Sequence, residues 1–299
     1  MRARRYAVVA GGGTGGHLVP ALALARALAE GRPEGAVELV GSRRGLDATL
    51  LSGAGLPVTL LPGRGIRRRH DLSALSSNLV AVVSLGAAVV LAVALVAARR
   101  PAVVVAMGGY ASVPVALAAF LLGVPVVLVN VDARPGAANR LVGRFARVAA
   151  VAFPGTALPR AVVTGVPVRP EVVAAARPTG DDRRAARRVL GVPEDRAVVG
   201  VVGGSLGARR LNEAAVTLAG LWAGRADRAV YHVVGRRDAS WAEAAAPPGP
   251  GPGEEGLWYR QVAFEDRMPL FYVAADVVVC RAGANTVAEL ATVGVPSVL

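Results

Sequence analysis

The stretch Tyr6-Ala7-Val8-Val9-Ala10-Gly11-Gly12-Gly13-Thr14-Gly15-Gly16-His17-Leu18-Val19-Pro20 decides how the rest of this 299-residue chain is read. Its first five residues carry no charge and suit a strand buried on both faces. Five glycines follow within six residues, and Pro20 opens an Ala/Leu run of helical character. Glycine lets the backbone approach a ligand closely, and a helix N-terminus presents amides to anionic oxygen. The loop formally satisfies the G-x-G-x-x-G pattern of dinucleotide-binding folds. An NAD site of that kind also calls for an acid after the second strand, where this chain has Gly41-Ser42-Arg43-Arg44. Two arginines suit an NADP phosphate, so an NADP oxidoreductase stays open as an alternative.

Strand-length apolar runs and longer helical segments alternate outward from this loop. Tyr6–Ala10, Val37–Gly41, Pro57–Leu61, Val103–Met107, Pro125–Val129 and Ala149–Ala152 read as buried parallel strands. Helices are expected between them at Ala21–Glu30, Leu46–Ser52, Leu75–Ala98 and Val113–Leu122. A second series starts with strands at Ala197–Val202 and Arg228–Val234 and continues through Trp258–Val262, Val277–Cys280 and Ser297–Leu299. Its helices fall at Arg183–Leu190, Ala208–Leu221, Met268–Ala274 and Thr286–Val293, with a solvated loop over Ala246–Gly256. Strand then helix, repeated twice over, predicts an α/β protein of two facing Rossmann-like domains with parallel sheets. The domains are expected over 1–163 and 171–299, joined by a Pro- and Gly-containing linker over 164–170.

Leu79–Ala98 is uncharged, almost wholly apolar and long enough to span a bilayer. A span would place strands of one sheet on opposite sides of the membrane. The preferred reading is therefore a crossover helix, buried or partly membrane-facing.

Composition narrows the partners. The formal charge is +13, and all 34 basic residues are arginine. With no lysine and a single isoleucine (Ile66), the pattern points to GC-rich coding, so abundant Ala, Val and Arg carry little functional weight. A basic balance favours phosphate-bearing substrates or acidic headgroups. Nucleic acid is disfavoured, because aromatics make up only 4% of the chain and no nucleic-acid motif interrupts the α/β pattern. Cys280 is alone, which excludes an internal disulfide and fits a buried thiol in a reducing cytoplasm. The basic Met1–Arg5 leads into the glycine loop without a cleavage site, so no secretory signal is expected.

Two further strand ends carry chemistry. Gly203-Gly204-Ser205-Leu206-Gly207 suits a pyrophosphate held by Ser205 and loop amides, or is simply a tight strand-to-helix turn. In Arg281-Ala282-Gly283-Ala284-Asn285-Thr286-Val287-Ala288-Glu289, Thr286 and Glu289 have capping-box spacing. Glu289 is equally suited to accept hydrogen bonds from ribose hydroxyls, and both readings stay open.

The blocks Gly12–Ala25, Gly108–Pro114 (GGYASVP), Pro135–Arg140 (PGAANR), Thr164–Arg169 (TGVPVR), Gly203–Asn212 (GGSLGARRLN) and Phe264–Pro296 occur in order from the first strand to the last residue. Together they resemble the MurG family of GT-B glycosyltransferases, family 28. The resemblance implies inverting transfer of N-acetylglucosamine from UDP-GlcNAc to undecaprenyl-pyrophosphoryl-MurNAc-pentapeptide, lipid I to lipid II, in peptidoglycan synthesis. It implies a donor site in the second domain, with Arg169 and Ser205 at the diphosphate, Phe264 over uracil, Glu289 at the ribose and Ala284 near the sugar. Thr14, Gly15, Gly16, Asn130 and Asp132 are expected on the donor side of the first domain. Gly13, Gly108, Gly109 and Tyr110 are expected to receive the acceptor pyrophosphate.

His17 is the candidate general base, since histidine takes up protons near neutral pH. Arginines and helix amides suit the departing diphosphate, and no D-x-D or His/Cys cluster calls for a metal or other cofactor. His70 and His232 read as surface and strand residues. The resemblance also implies peripheral attachment to the anionic cytoplasmic membrane face, with Arg67–Arg69, Arg140, Arg144 and Arg147 as its basic surface, and contacts with other cell-wall synthesis proteins.

Three departures stand out. The family usually has Glu-Gln-Asn where this chain has Asn130-Val131-Asp132, which exchanges acid and amide. Asp47 stands where a Glu is usual. The family continues past Leu299 through a Gln/Asn-containing sugar-binding helix and a terminal helix, so the resemblance implies a truncated second domain. A GT-B enzyme with another acceptor, and an inactive membrane-bound scaffold, stay open beside the transferase.

Overall fold

The computed structural model describes residues 5–12, 15–43, 55–62, 72–204, 206–247 and 255–299, with backbone only over 72–83. Gly13, Thr14, Asp47, the helix expected at Leu46–Ser52, Arg67–Arg69, His70 and Ser205 lie outside the described residues, as does most of the loop expected at Ala246–Gly256. The chain divides into two compact units at the Arg169–Pro170 junction.

The first unit is built on seven parallel strands: β1 (Ala7–Ala10), β2 (Val37–Ser42), β3 (Val58–Leu61), β4 (Val103–Ala106), β5 (Val126–Asn130), β6 (Val148–Val151) and β7 (Ala161–Val163). Their order in the sheet is β3-β2-β1-β4-β5-β6-β7. β1 is buried along its whole length, which is why it is purely Ala and Val. Its helices are α1 (Gly15–Ala29), α2 (Leu72–Arg99), α3 (Ser112–Leu121) and α4 (Ala137–Gly143). Ala88, Ala92 and Val96 of α2 are buried in the core at four-residue spacing, while Val90 and Leu91 face outward. Small residues on that stripe let α2 pack closely. Among the described residues no helix is long and apolar enough to cross a membrane.

One carboxylate inside this sheet is neutralised locally. Glu38 on β2 is 1% exposed and accepts hydrogen bonds from Arg99 Nε (2.7 Å), Thr59 Oγ1 (2.7 Å) and Arg5 Nε (3.3 Å). The contacts tie four segments together at the end of the sheet away from the glycine loop; a buried charge persists only with such partners.

The second unit has five parallel strands in the order β10-β9-β8-β11-β12. These are β8 (Ala197–Val202), β9 (Arg228–Val233), β10 (Trp258–Val262), β11 (Val277–Cys280) and β12 (Ser297–Val298). The helices are α5 (Pro170–Ala174), α6 (Gly180–Leu190), α7 (Arg209–Leu221), α8 (Ala239–Ala245), α9 (Met268–Ala274) and α10 (Ala284–Val293). A true capping box, Thr179 with Asp182, starts α6, and Gly191 ends it in the left-handed region. Asp276 bonds to Arg183 and Arg187 and joins α6 to the start of β11.

The structure departs from the sequence expectations locally. β7 forms a three-residue edge strand just before the expected linker, and α4 and α8 are helices that the apolar pattern did not mark. Thr286 does not start a helix: α10 begins at Ala284 with Gly283 at its N-cap and no side-chain cap, so Glu289 sits mid-helix and the capping reading is withdrawn.

Candidate functional site

In an open parallel sheet, ligands bind beyond the carboxyl ends of the strands where the strand order reverses. The first sheet runs from β1 outward through β2 and β3, then resumes on the other side with β4. The loop after β1, which leads to His17, therefore lies beside the loop after β4, which holds Gly108, Gly109 and Tyr110. The second sheet repeats the plan. Gly203 and Gly204 follow β8, and the Arg281–Asn285 segment follows β11, its neighbour across the reversal.

At the first reversal, glycine is a steric requirement. Gly109 has φ +77, and a Cβ there would lie 1.8 Å from the Gly12 carbonyl oxygen. Gly108, at φ +95, would place a Cβ 2.8 Å from His17 Cδ2 and 2.9 Å from Asn139 Oδ1. The bare backbone after β4 thus lets side chains from three segments converge. His17, in the first turn of α1, brings Nε2 to 3.8 Å from Asp132 Oδ2, and both side chains reach solvent.

Asn130 and Asn139 are buried beneath them. Asn139 Nδ2 donates to Asn130 Oδ1 (2.8 Å), and Asn130 Nδ2 donates to the Asp132 carbonyl (2.6 Å). Tyr110 is half-buried, and burial pushes its phenol above the ordinary value. Gly15 and Gly16 form the start of α1.

The second reversal presents arginine and aromatic groups. Arg281 Nη1 reaches the Gly203 carbonyl at 3.5 Å. Arg236, after β9, lies over the Phe264 ring at 4.3 Å. Next to Phe264, burial opposes ionisation of Glu265, but bonds from the Tyr231 hydroxyl and from Arg267 outweigh it and hold the carboxyl below its ordinary value. The Tyr231 phenol is correspondingly pushed up to about 12 by burial and by Glu265. Ala284 is the first residue of α10 and is half-buried. Glu289 is 6% exposed and accepts a 2.8 Å hydrogen bond from the Tyr272 hydroxyl. Arg169 is the last residue of the first unit and is half-buried.

A buried polar set supports the second loop from below. Asn212 Nδ2 donates to the Val234 carbonyl (3.0 Å) and to Asp238 Oδ2 (3.1 Å). Its Oδ1 is left to accept from His232 Nε2 (3.0 Å), so His232 Nδ1 accepts from the Tyr259 hydroxyl (3.0 Å). His232 is a strand residue as expected, fully buried, and burial alone lowers it to about 4. Above this set, a Cβ on Gly207 would lie 2.2 Å from the Val234 carbonyl oxygen.

Of the residues singled out in sequence, the structure brings His17, Gly108, Asn130 and Asp132 together. Arg236, Tyr272, Asn139 and the Asn212–His232 pair are additions, as is the placement of Arg281 against the glycine loop. Asn139 and Asn212 stood in quoted motifs, but nothing in their spacing signalled burial.

The chain matches two family models, described as the glycosyltransferase family 28 N-terminal domain (residues 7–151) and the glycosyltransferase family 28 C-terminal domain (residues 198–299). It is 41% identical to a UDP-N-acetylglucosamine–N-acetylmuramyl-(pentapeptide) pyrophosphoryl-undecaprenol N-acetylglucosamine transferase of Nocardioides sp., covering 97% of this chain and 76% of that protein. The protein of the same name from Acidothermus cellulolyticus is 40% identical, with 98% and 77% covered. Among solved structures, MurG of Acinetobacter baumannii superimposes with a TM-score of 0.65 at 28% identity, covering 98% of this chain and 77% of that one. An identity of 41% over 297 residues, together with matches to both family 28 domain models, makes this chain a member of the MurG family within glycosyltransferase family 28.

Proposed function

We propose that this chain transfers N-acetylglucosamine from UDP-GlcNAc to the hydroxyl of the undecaprenyl-pyrophosphoryl-MurNAc-pentapeptide lipid, with inversion at the anomeric carbon. The observation that carries the reading is His17 at the reversal of the first sheet, beside an acid and given room by Gly108. His17 takes the hydroxyl proton as the oxygen bonds to the anomeric carbon, and the electron pair of the broken bond leaves with UDP. Backbone amides at Gly13, Thr14, Gly15, Gly16, Gly108 and Gly109 hold phosphate oxygens near the reaction, with Tyr110 on the acceptor side. On the donor side, Ser205, Arg169 and Arg281 offset the charge of the diphosphate, Phe264 covers the base, Ala284 borders the sugar, and Glu289 binds the ribose once Tyr272 yields part of its contact. Departing UDP is stabilised by these groups, so the reading calls for no metal.

The acceptor is a lipid, and the reading places the first unit on the anionic cytoplasmic face of the membrane. Exposed Phe120, Leu121 and Leu141 on α3 and α4 stand close in sequence to exposed Arg140, Arg144 and Arg147. Each arginine near such a surface contributes about 1 kcal/mol.

The test is transfer of radiolabelled sugar from UDP-GlcNAc to a lipid I analogue by the purified chain. Labelled product on the lipid supports the reading. UDP binding with no product on this acceptor, but product on a different lipid or metabolite acceptor, would replace it with the second reading that the exchanged Asn130 and Asp132 favour.

A further inference from the structure

We infer that Asp132 is a positioning residue for His17; this rests on the assignment of His17 as the base. The carboxylate stands 3.8 Å from His17 Nε2, longer than a hydrogen bond but close enough to form one after a shift of roughly 1 Å. Its backbone is anchored by Asn130. Asn130 is fully buried and its Nδ2 holds the Asp132 carbonyl, while the buried Asn139 holds Asn130 from behind. The anchored backbone projects a carboxylate that is half-exposed, towards a ring that is itself partly open to solvent.

β5 is separated from β1 by β4, so Asp132 and His17 approach each other across the end of an intervening strand. Gly108, two residues past the end of that strand, leaves room for the imidazole because it has no side chain. In the transfer step, with Nε2–H facing Asp132, the hydroxyl proton moves to the other ring nitrogen of His17, Nδ1, as the oxygen joins the anomeric carbon and the sugar–phosphate bond breaks towards UDP. The ring then carries a positive charge, which the Asp132 carboxylate offsets while fixing the ring's orientation.

The experiment uses the 299-residue chain, UDP-GlcNAc and a lipid I analogue, with Asp132→Asn, Asp132→Glu, His17→Ala and the His17→Ala/Asp132→Asn pair. Asp132→Asn is expected to lower kcat on the order of 10- to 100-fold with little change in the KM for UDP-GlcNAc, and Asp132→Glu to recover part of the loss. Adding Asp132→Asn to His17→Ala should cost nothing further, because the acid acts only through the ring. A raised KM for UDP-GlcNAc at unchanged kcat, or additive losses in the double variant, would overturn the assignment and return Asp132 to the donor.

A second readout does not need turnover. The chain has three histidines, so the ring nitrogens of His17 are identified in a ¹⁵N spectrum by their loss in His17→Ala. Asp132→Asn should displace the His17 signals and leave those of His232 in place; unmoved His17 signals would refute the pairing. Displaced signals in a chain that transfers nothing to the lipid I analogue would sustain the pairing and reject the acceptor assignment instead.

Discussion

At the first reversal of strand order, the glycine loop after β1 leads to an imidazole with a carboxylate 3.8 Å away. At the second, the glycine loop after β8 leads into a helix that begins Arg209-Arg210, with Arg281 against the loop and Arg236 over Phe264. The backbone plan is the same, down to glycines that abut a neighbouring carbonyl. What differs is the protonation chemistry on top. One loop end carries an imidazole beside a carboxylate, while the other carries arginines and keeps its only histidine neutral inside the sheet. A transfer that deprotonates one partner and releases an anion from the other needs both kinds of surface.

The comparison is broken most severely by filling the glycines. Gly109→Ala would drive a Cβ into the Gly12 carbonyl, and Gly207→Ala would drive one into the Val234 carbonyl, both at positive φ. Each should cost about 3 kcal/mol or more, seen as a lower unfolding midpoint. The functional losses should separate: Gly109→Ala should abolish transfer while UDP still binds, and Gly207→Ala should lose UDP. If both variants lose UDP equally, the two loops do not have separate tasks.

Acid sharpens the contrast from below the second loop. His232 is held neutral to about pH 4, whereas the unfolded chain takes up that proton near its ordinary value of 6.5. A depressed histidine stabilises the fold fully above about pH 6.5, and that contribution, of about 3 kcal/mol, is lost as pH falls towards 4. Urea unfolding followed from pH 7.5 to 4.5 should show that loss, and His232→Gln should flatten it. An unchanged acid limb in the variant would mean that other groups govern acid stability.

Smaller effects follow at the rim. Glu289→Ala should weaken UDP binding roughly tenfold, about 1.4 kcal/mol, read by calorimetry. Equal affinity would leave Glu289 only its bond to Tyr272. Reversing the charge of Arg140, Arg144 and Arg147 should release the chain from anionic vesicles by about 1 kcal/mol per residue, with no effect on UDP. Retention on vesicles would point to another face.

Much of this plan was legible in the chain, for a physical reason. Central strands become apolar runs dominated by Val and Ala, so β1, β4, β5, β8 and β11 stand out, and glycine loops mark the carboxyl ends of β1, β4 and β8. β7 escaped because an exposed three-residue edge strand carries no such pattern. α4 escaped because its Asn139 faces inward and its Arg140 outward, which blurs the apolar period. The start of α10 was misplaced because a Thr-x-x-Glu spacing says nothing about whether the chain has already turned at Gly283. The approach of Asp132 to His17 was the least legible, since it depends on strand order in the sheet and on a side chain being absent at Gly108. Spacing along the chain contains neither.

On the proposed function, the first loop moves the proton and the second holds the nucleotide. The most direct measurement is His17→Ala, with kcat for GlcNAc transfer and the Kd for UDP taken on the same preparation. kcat should fall by about 10²- to 10⁴-fold while the Kd stays within about twofold. An unchanged kcat, or a Kd that weakens in step with it, would mean that His17 is not the base and that the two loops do not divide the work in this way.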